Sequence, residues 1–359
     1  MVSREEPRVL SLVIGVDTHK DEHVAVALDQ LGARRSQRRI PASAQGYLDL
    51  ERWASSLGVV TAFGIEGTGS YGAGLARFLV GVGHTVIEVN RSDRSARRRL
   101  GKSDPTDAEL AARAVLSRVA HTAPKSGTAE VEMIRMLKSA KNSATKARTQ
   151  AMNQMKMLLV TAPAEVRQGL DQLTARSLVS RCLGRRPGPL VTPAAAAKRT
   201  LRSLARRYRQ LTLEIEELVA DLERLTSAVA PALIKTFGVG ADSAAALLIA
   251  AGDNPERLKS EAAFAALCGV SPIPASSGKT NRHRLNRGGD RQANAALYRV
   301  VIVRLRYEER TRAYMRRRTG EGRTKAEVIR CLKRYVAREV FVILKQLSQS
   351  THPTPLDTL

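Results

Sequence analysis

Four acidic residues stand out in a chain with a large excess of positive charge. Lysine and arginine total 59 against 34 aspartate and glutamate residues, which gives a formal net charge of +25. Carboxylate oxygens are the ligands that hard divalent cations prefer. Two such ions about 4 Å apart can clamp the attacking and leaving oxygens of a phosphodiester exchange. We therefore expect a two-ion Mg²⁺ site formed by Asp17, Glu66, Asp104 and Asp107.

Two of these acids also have a purely structural interpretation. In the segment GKSDPTDAELAARA at 101–114, Asp104 suits the N-cap of a helix, Pro105 its first position and Asp107 its third. Negative charge is favourable there because it faces the positive end of the helix dipole. A helix start and a metal site both remain open for this pair.

A loop rich in glycine, serine and basic residues offers a nucleophile. The loop GVSPIPASSGKTNRHRLNRGGDRQ at 269–292 contains Ser277 directly before a glycine, with Ser276 beside it. A serine that approaches a phosphate closely can attack it and form a covalent phosphoester, and nearby cations stabilise the transition state. A simple turn residue is the alternative. The basic residues that we expect to contact phosphates are Lys102, Lys279, Arg282 and Arg284.

A glycine turn offers a further phosphate contact. The turn GVG at 238–240 separates two helical segments, and the backbone N–H groups of Gly238 and Gly240 can hold a phosphate there. The alternative is a plain connection between helices, with Asp242 as a helix cap. Both interpretations remain open.

Alternating strands and helices are expected to position the acidic residues. Helical patterns occur at 43–58 and 69–83, and strands are predicted at 10–17, 24–29, 59–67 and 84–90, with another within RSQRRIPA at 35–42. This order indicates a sheet that is parallel in its later part and covered by helices. Ligands of such sheets collect at the carboxyl ends of strands, where Asp17 and Glu66 lie.

A long helical region follows. Residues 129–160 read as one basic helix, and a Gly/Pro-containing stretch at 183–193 interrupts the pattern. Apolar residues then alternate at steps of three and four over about four heptads, which is typical of a coiled coil. A helical hairpin with the 129–160 helix is equally consistent. The seam consists of Leu201, Leu204, Tyr208, Leu211, Ile215, Leu218, Leu222, Leu225 and Val229.

Composition limits the class of protein and its partners. A strongly positive chain attracts polyanions, so nucleic acid is the expected partner. Three widely separated cysteines, Cys182, Cys268 and Cys331, argue against a zinc site or a disulfide framework. The first ten residues lack the apolar stretch of a signal peptide, and the longest apolar run, 244–251, is too short to span a bilayer. We expect a cytoplasmic, nucleoid-associated protein with no membrane partner.

Several motifs, in their order along the chain, resemble one family. The segments VIGVDTHKDEHVAVALD, GIEGTGSYGAGLARFL and KSDPTDAELAARA are similar to the acidic motifs of the DEDD transposases of bacterial insertion sequences, the group named for insertion sequence one-hundred-and-ten. The segments FAALCGVSPIPASSGK and RGGDRQANAALYR resemble the second conserved domain of that family. The resemblance covers about 10–345, and the family's "GN" position is Gly289–Asp290 here.

The resemblance implies a fold and a division into domains. It implies an α/β RNase H-like (RuvC-like) domain over 8–125, then a central helical coiled-coil region over 126–230. A mostly α-helical C-terminal domain over 231–347 and a flexible tail over 348–359 complete the chain. By the same resemblance, Asp17, Glu66, Asp104 and Asp107 form the acidic tetrad, and Ser277 is the catalytic serine.

The resemblance also implies a reaction and partners. The chain is expected to be a site-specific DNA recombinase that acts on donor and target DNA, guided by a structured noncoding RNA from its own element. It is expected to work as a homodimer or homotetramer. Two alternatives remain: a metal-dependent junction nuclease that uses water as its nucleophile, and a non-catalytic nucleic-acid scaffold.

Overall fold

The computed structural model describes residues 10–89, 103–254, 257–277 and 283–351, with side chains described as far as residue 347. The chain divides into two compact units. The first comprises residues 1–128 with 252–257, and the second comprises 129–251 with 258–359. Lys102, Lys279 and Arg282 lie outside the described residues.

In its described part, the first unit has a five-stranded sheet whose strands are β1 (Ser11–Thr18), β2 (Glu22–Asp29), β3 (Arg34–Pro41), β4 (Val59–Glu66) and β5 (Val86–Val89). Their order across the sheet is β3-β2-β1-β4-β5. β1 pairs antiparallel with β2 and parallel with β4, and β4 pairs parallel with β5. This confirms the prediction of a sheet that is parallel in its later part. The described helices of this unit are α1 (Ala44–Leu57), α2 (Ala73–Gly81) and α3 (Asp104–Leu116).

Two apolar layers sandwich this sheet because alternate residues of a strand point to opposite faces. One layer contains Leu12, Ile14 and Val16 of β1 and packs with buried residues of α1 and α2. The other contains Val13 of β1 together with Ala108 and Ala112 of α3. The strands are therefore covered on both sides, as their nearly continuous apolar sequences indicate.

The second unit is mostly helical, which confirms the predicted character of the rest of the chain. Its long elements are α4 (Glu130–Thr161), α7 (Pro193–Val229) and α13 (Lys325–Thr351). The others are α5 (Ala164–Arg167), α6 (Ala175–Gly184), α8 (Pro231–Lys235), α9 (Ala241–Ala251), α10 (Glu261–Leu267), β6 (Ile273–Pro274), β7 (His283–Arg284), α11 (Arg291–Tyr307) and α12 (Glu309–Gly320).

The leucine seam of α7 packs within the chain. α4 and α7 lie against each other, and Leu201, Ile215 and Leu222 of the seam are buried. Of the two alternatives for the seam, the structure therefore shows the helical hairpin within one chain. A coiled coil between copies of the chain stays a prediction.

Two apolar cores stabilise the second unit. One includes Met155, Leu178 and Leu201, which join the C-terminal part of α4 and the N-terminal part of α7 to α6. The other includes Leu247, Phe264 and Leu297, which join α9, α10 and α11. No helix within the described ranges has both the length and the apolar composition needed to cross a membrane.

Candidate active site

Asp17 and Glu66 lie side by side at the carboxyl ends of β1 and β4. These strands are parallel, and Val16 pairs with Ile65, the residue before Glu66. The hydroxyl Oγ1 of Thr18 donates a hydrogen bond of 2.8 Å to the backbone oxygen of Glu66. Since paired strands are about 4.8 Å apart, the two acidic residues start from neighbouring points on one edge of the sheet.

Two glycines bring α3 onto the same face of the sheet. A Cβ atom added to Gly15 would lie 2.0 Å from the backbone oxygen of Ala108, and one added to Gly64 would lie 2.7 Å from Cγ2 of Val115. The helix can therefore come this close to the strands only because residues 15 and 64 have no side chain. Asp17 and Glu66 each follow one of these glycines by two residues, so both belong to the face that α3 covers.

The start of α3 brings the other two acids to this face. Ser103 is the N-cap, with Asp104 as the first helical residue and Asp107 buried one turn later. The expectation that Asp104 is the N-cap was wrong by one position. Ser103 has extended backbone angles and its hydroxyl accepts from the backbone N–H of Thr106, so it fills the capping role.

Among the residues that the structure describes, Asp17, Asp104 and His19 bring potential ligand atoms together. One potential ligand atom from each lies within 4.8 Å of the others. The Nε2 atom of His19 is 3.1 Å from Oδ2 of Asp17 and 3.5 Å from Oδ1 of Asp104. His19 was missed in the sequence, although its place two residues after Asp17 at a strand end was a usable signal, because such residues share a face.

The acidic cluster carries unfavourable negative charge. Burial raises the pKa of Asp17; the adjacent His19 opposes that shift, and the carboxylates of Asp107 and Asp104 add to it. Arg39 partly compensates through an ion pair of 3.5 Å with Asp104. A divalent cation would relieve the remaining repulsion, and the carboxylate oxygens suit Mg²⁺ or Mn²⁺, while His19 contacts the carboxylate of Asp17. The residues therefore fit the expected metal.

The contact between Gly15 and α3 leads to the first prediction. Gly15→Ala should lower the free energy of unfolding by about 3 kcal/mol, because the new methyl group must displace backbone of α3. Chemical denaturation measures this effect. Gly81→Ala is the control: a Cβ atom there meets nothing within 4 Å, so its stability should stay within about 0.5 kcal/mol of the wild type. If both variants unfold with the same free energy, the close contact between Gly15 and the backbone of α3 is contradicted.

Ser277 lies in the second unit, on the connection between two short paired strands. β6 and β7 pair through Ile273 with Arg284 and Pro274 with His283. The side chains of Ser277 and Arg284 are exposed. The hairpin thus carries both the predicted nucleophile and one predicted phosphate contact, and their roles stay predictions.

The base of this loop is firmly anchored. A Cβ atom at Gly289 would lie 2.2 Å from the backbone nitrogen of Gly269, so the Gly-Gly pair permits two backbone segments to touch. The amide of Asn294 donates to the backbone oxygens of Cys268 and Gly269 at 2.9 and 3.1 Å. Asp290 accepts from the backbone N–H groups of Gln292 and Ala293 and caps α11. Asp290, the second residue of the pair that corresponds to the family's "GN", therefore has a structural role as the cap of α11.

The glycine turn at 238–240 precedes a cluster of charged side chains. Oδ1 of Asp242, in the first turn of α9, accepts from Nζ of both Lys138 and Lys141 at 2.7 Å. The guanidinium of Arg299 donates to Oδ2 at 2.9 Å. Burial raises the pKa of Asp242, but the two lysine hydrogen bonds outweigh it and lower the pKa to about 2. Phosphate binding by Gly238 and Gly240 stays a prediction.

The second prediction concerns this cluster, which joins α4, α9 and α11. Lys138 is 4% exposed, so Asp242→Asn leaves a buried ammonium without its counter-charge. We expect a loss of about 2 kcal/mol in unfolding free energy, less than for a fully buried pair because Asp242 is partly exposed. Asp221→Asn, which removes an exposed pair with Arg224, should cost about 0.5 kcal/mol or less.

The pH dependence of the same pair has a defined sign. Because the folded pKa of Asp242 is below its ordinary value of 3.8, its contribution is present above pH 3.8 and is lost as the pH falls towards 2. The stability difference between wild type and Asp242→Asn should shrink over that range in urea titrations. A constant difference would contradict the ion cluster.

Two family models match the chain. The model for the DEDD transposases of IS110, described as "Transposase", matches residues 14–162. The model described as "Transposase IS116/IS110/IS902 family" matches residues 230–316. The first range contains all four acidic residues, and the second contains Ser277.

A curated protein of Streptomyces coelicolor is also similar. The "Insertion element IS110 uncharacterized 43.6 kDa protein" is 28% identical over 131 residues. The match covers 36% of this chain and 32% of that protein. The chain thus spans about a third of the length of the relative that it matches.

Proposed function

Because the chain belongs to the IS110 family of insertion-sequence transposases, we propose that it cuts and rejoins DNA strands in a metal-dependent recombination. The observation that carries this proposal is the meeting of Asp17, His19 and Asp104 within 4.8 Å, at a sheet edge that Glu66 and Asp107 also approach. A cation-binding carboxylate cluster in a chain of net charge +25 suits chemistry on a polyanion.

The residues have distinct roles in this proposal. Asp17, Glu66, Asp104 and Asp107, assisted by His19, hold two Mg²⁺ ions, which when bound neutralise charge on the scissile phosphate. Arg39, paired with Asp104, keeps that carboxylate in place.

Ser277 supplies the covalent step. Its Oγ attacks the phosphorus, an O–P bond forms to the serine, and the bond from phosphorus to the leaving deoxyribose oxygen breaks. The proton of the serine hydroxyl passes to solvent, and the leaving oxygen takes a proton to become a free hydroxyl. Attack by a hydroxyl of a second strand reverses the step and rejoins DNA. Because the phosphodiester energy is kept in the serine ester, no other energy source is required.

Finer features of the proposal follow from the family resemblance. We propose an RNase H-like (RuvC-like) fold for the first unit, which its sheet order supports, and the domain division at 125, 230 and 347. We propose that a noncoding guide RNA pairs with donor and target DNA, as in other RNA-guided enzymes. We also propose a dimer or tetramer joined through α7, with phosphate contacts by Lys102, Lys279, Arg282, Arg284, Gly238 and Gly240.

One experiment separates this function from its alternatives. The full chain is incubated with internally labelled supercoiled DNA or end-labelled branched DNA, with and without Mg²⁺ and with the element's end transcribed as RNA, and the products are run on a denaturing gel. A recombinase gives a protein–DNA adduct only with Mg²⁺. A junction nuclease gives free ends with no adduct. A scaffold gives neither, and either of these last results overturns the proposal.

A further inference from the structure

An open groove crosses the second unit between α11, α12 and α13. Its volume is about 1080 Å³. Leu332 and Val336 of α13 and Val301 of α11, all buried, form its floor. Since the floor is apolar and the walls carry charged and aromatic side chains, the groove suits a ligand with a flat apolar part and a charged part.

Aromatic rings supply the flat surfaces. The rings of Tyr314 and Tyr335 pack edge to face, with centroids 5.7 Å apart. Tyr335 and Phe237, which both line the groove, are each 49% exposed. Half-exposed aromatic rings in a concave surface provide stacking platforms for bases.

Arginines supply the positive charge. The guanidinium of Arg317 lies over the ring of Tyr314, 5.3 Å from its centroid, and both Arg317 and Arg310 are exposed. Arg304 has a structural role, because it donates to the backbone oxygen of Phe237 and to Glu339. The groove also contains the acid Glu308, which accepts from the hydroxyl of Thr311. Arg338 is paired with Glu261 at 3.0 Å, and Arg317 lies 3.9 Å from Glu321. Charge available to a ligand therefore comes mainly from Arg310, with a contribution from the loosely paired Arg317.

We propose that this groove binds an unpaired nucleotide of a single-stranded nucleic acid. The base stacks on Tyr335, and the flanking phosphates contact Arg310 and Arg317. Bases in a duplex have both faces covered by neighbouring pairs, so this recognition selects single strands. The inference rests on the proposed function only in taking nucleic acid as the partner, and it requires neither metal nor cleavage.

Binding of fluorescein-labelled oligonucleotides to the full chain in EDTA tests the proposal. Three probes are used: dT20, rU20 and a 20-base-pair duplex. Tyr335→Ala should weaken binding of dT20, rU20 or both by about ten-fold, while Tyr335→Phe binds normally and the duplex affinity stays within two-fold. If Tyr335→Ala weakens binding of both dT20 and rU20, the groove recognises features common to DNA and RNA. If it weakens binding of only one, the groove is specific for that type of strand.

Controls separate stacking from general damage. Tyr298→Ala removes a tyrosine of similar exposure, 47%, that lies outside the groove, and should bind dT20 and rU20 like the wild type. Arg310→Gln changes an exposed side chain that folding does not require. It should lower single-strand affinity and reduce the slope of log affinity against log salt by about one.

Two outcomes overturn the inference. One is unchanged single-strand binding in both Tyr335→Ala and Arg310→Gln, and the other is an equal loss with the duplex. If the proposed recombinase function is wrong, a different experiment shows it: the wild-type protein forms no covalent adduct with DNA in Mg²⁺.

Discussion

Asp17→Asn should lower the rate of DNA strand cleavage about a thousand-fold, because metal coordination contributes several kcal/mol of charge stabilisation in the transition state. Asp17 is 8% exposed and lies at the carboxyl end of β1, where its carboxylate is close to those of Asp104 and Asp107. The substitution keeps the shape of the side chain and removes its charge. A time course of cleavage with labelled DNA and Mg²⁺ measures the loss.

The stability of this variant distinguishes a catalytic role from a structural one. Burial and neighbouring negative charge already raise the pKa of Asp17, so a neutral amide should leave the thermal unfolding midpoint unchanged or slightly raise it. Asp21→Asn is the control, since Asp21 is an exposed aspartate in the adjacent hairpin turn. It should cleave at the wild-type rate. Full activity of Asp17→Asn would remove this residue from the site.

The second large effect is expected at the serine loop. Ser277→Ala should abolish the covalent protein–DNA adduct, because the variant has no oxygen to bond to phosphorus. Folding should be unaffected, since the side chain is exposed and the loop is anchored elsewhere, through Asn294 and the Gly269–Gly289 contact. Denaturing gels of radiolabelled DNA with Mg²⁺ detect the adduct.

The neighbouring serine provides a matched control. Ser276→Ala should form the adduct at the wild-type level, because it keeps the hydroxyl of Ser277. The reverse pattern, with an adduct in Ser277→Ala and none in Ser276→Ala, would move the nucleophile by one residue. Adducts in both variants would contradict Ser277 as the required nucleophile.

Much of the first unit could be predicted because its signals are local. Apolar β-branched runs specified the strands, and the alternation with helices specified the parallel part of the sheet. The acids at strand ends were recognisable for the same reason. The packing of α3 against this edge of the sheet could not be predicted. It depends on contacts of Gly15 and Gly64 with a helix about 90 and 50 residues away, and the periodicity of a single sequence does not show which distant segments are in contact.

Other features depend on contacts that are distant in sequence. Residues 252–257 belong to the first unit, where the amide of Asn254 donates to the backbone oxygen of Pro124, 130 residues away. The two-residue strands β6 and β7 are too short to show any period. The α4–α7 hairpin was predicted only as one of two alternatives, since a heptad seam does not specify whether its partner is in the same chain.

Metal affinity tests the central claim most directly, because it depends on the gathering of acidic residues and on no later step. Mn²⁺ binding, followed by the loss of its free electron paramagnetic resonance signal, should be at least ten-fold weaker in Asp17→Asn, and also weaker in His19→Ala, than in the wild type or Asp21→Asn. Equal Mn²⁺ affinity in wild type, Asp17→Asn and His19→Ala would contradict the account.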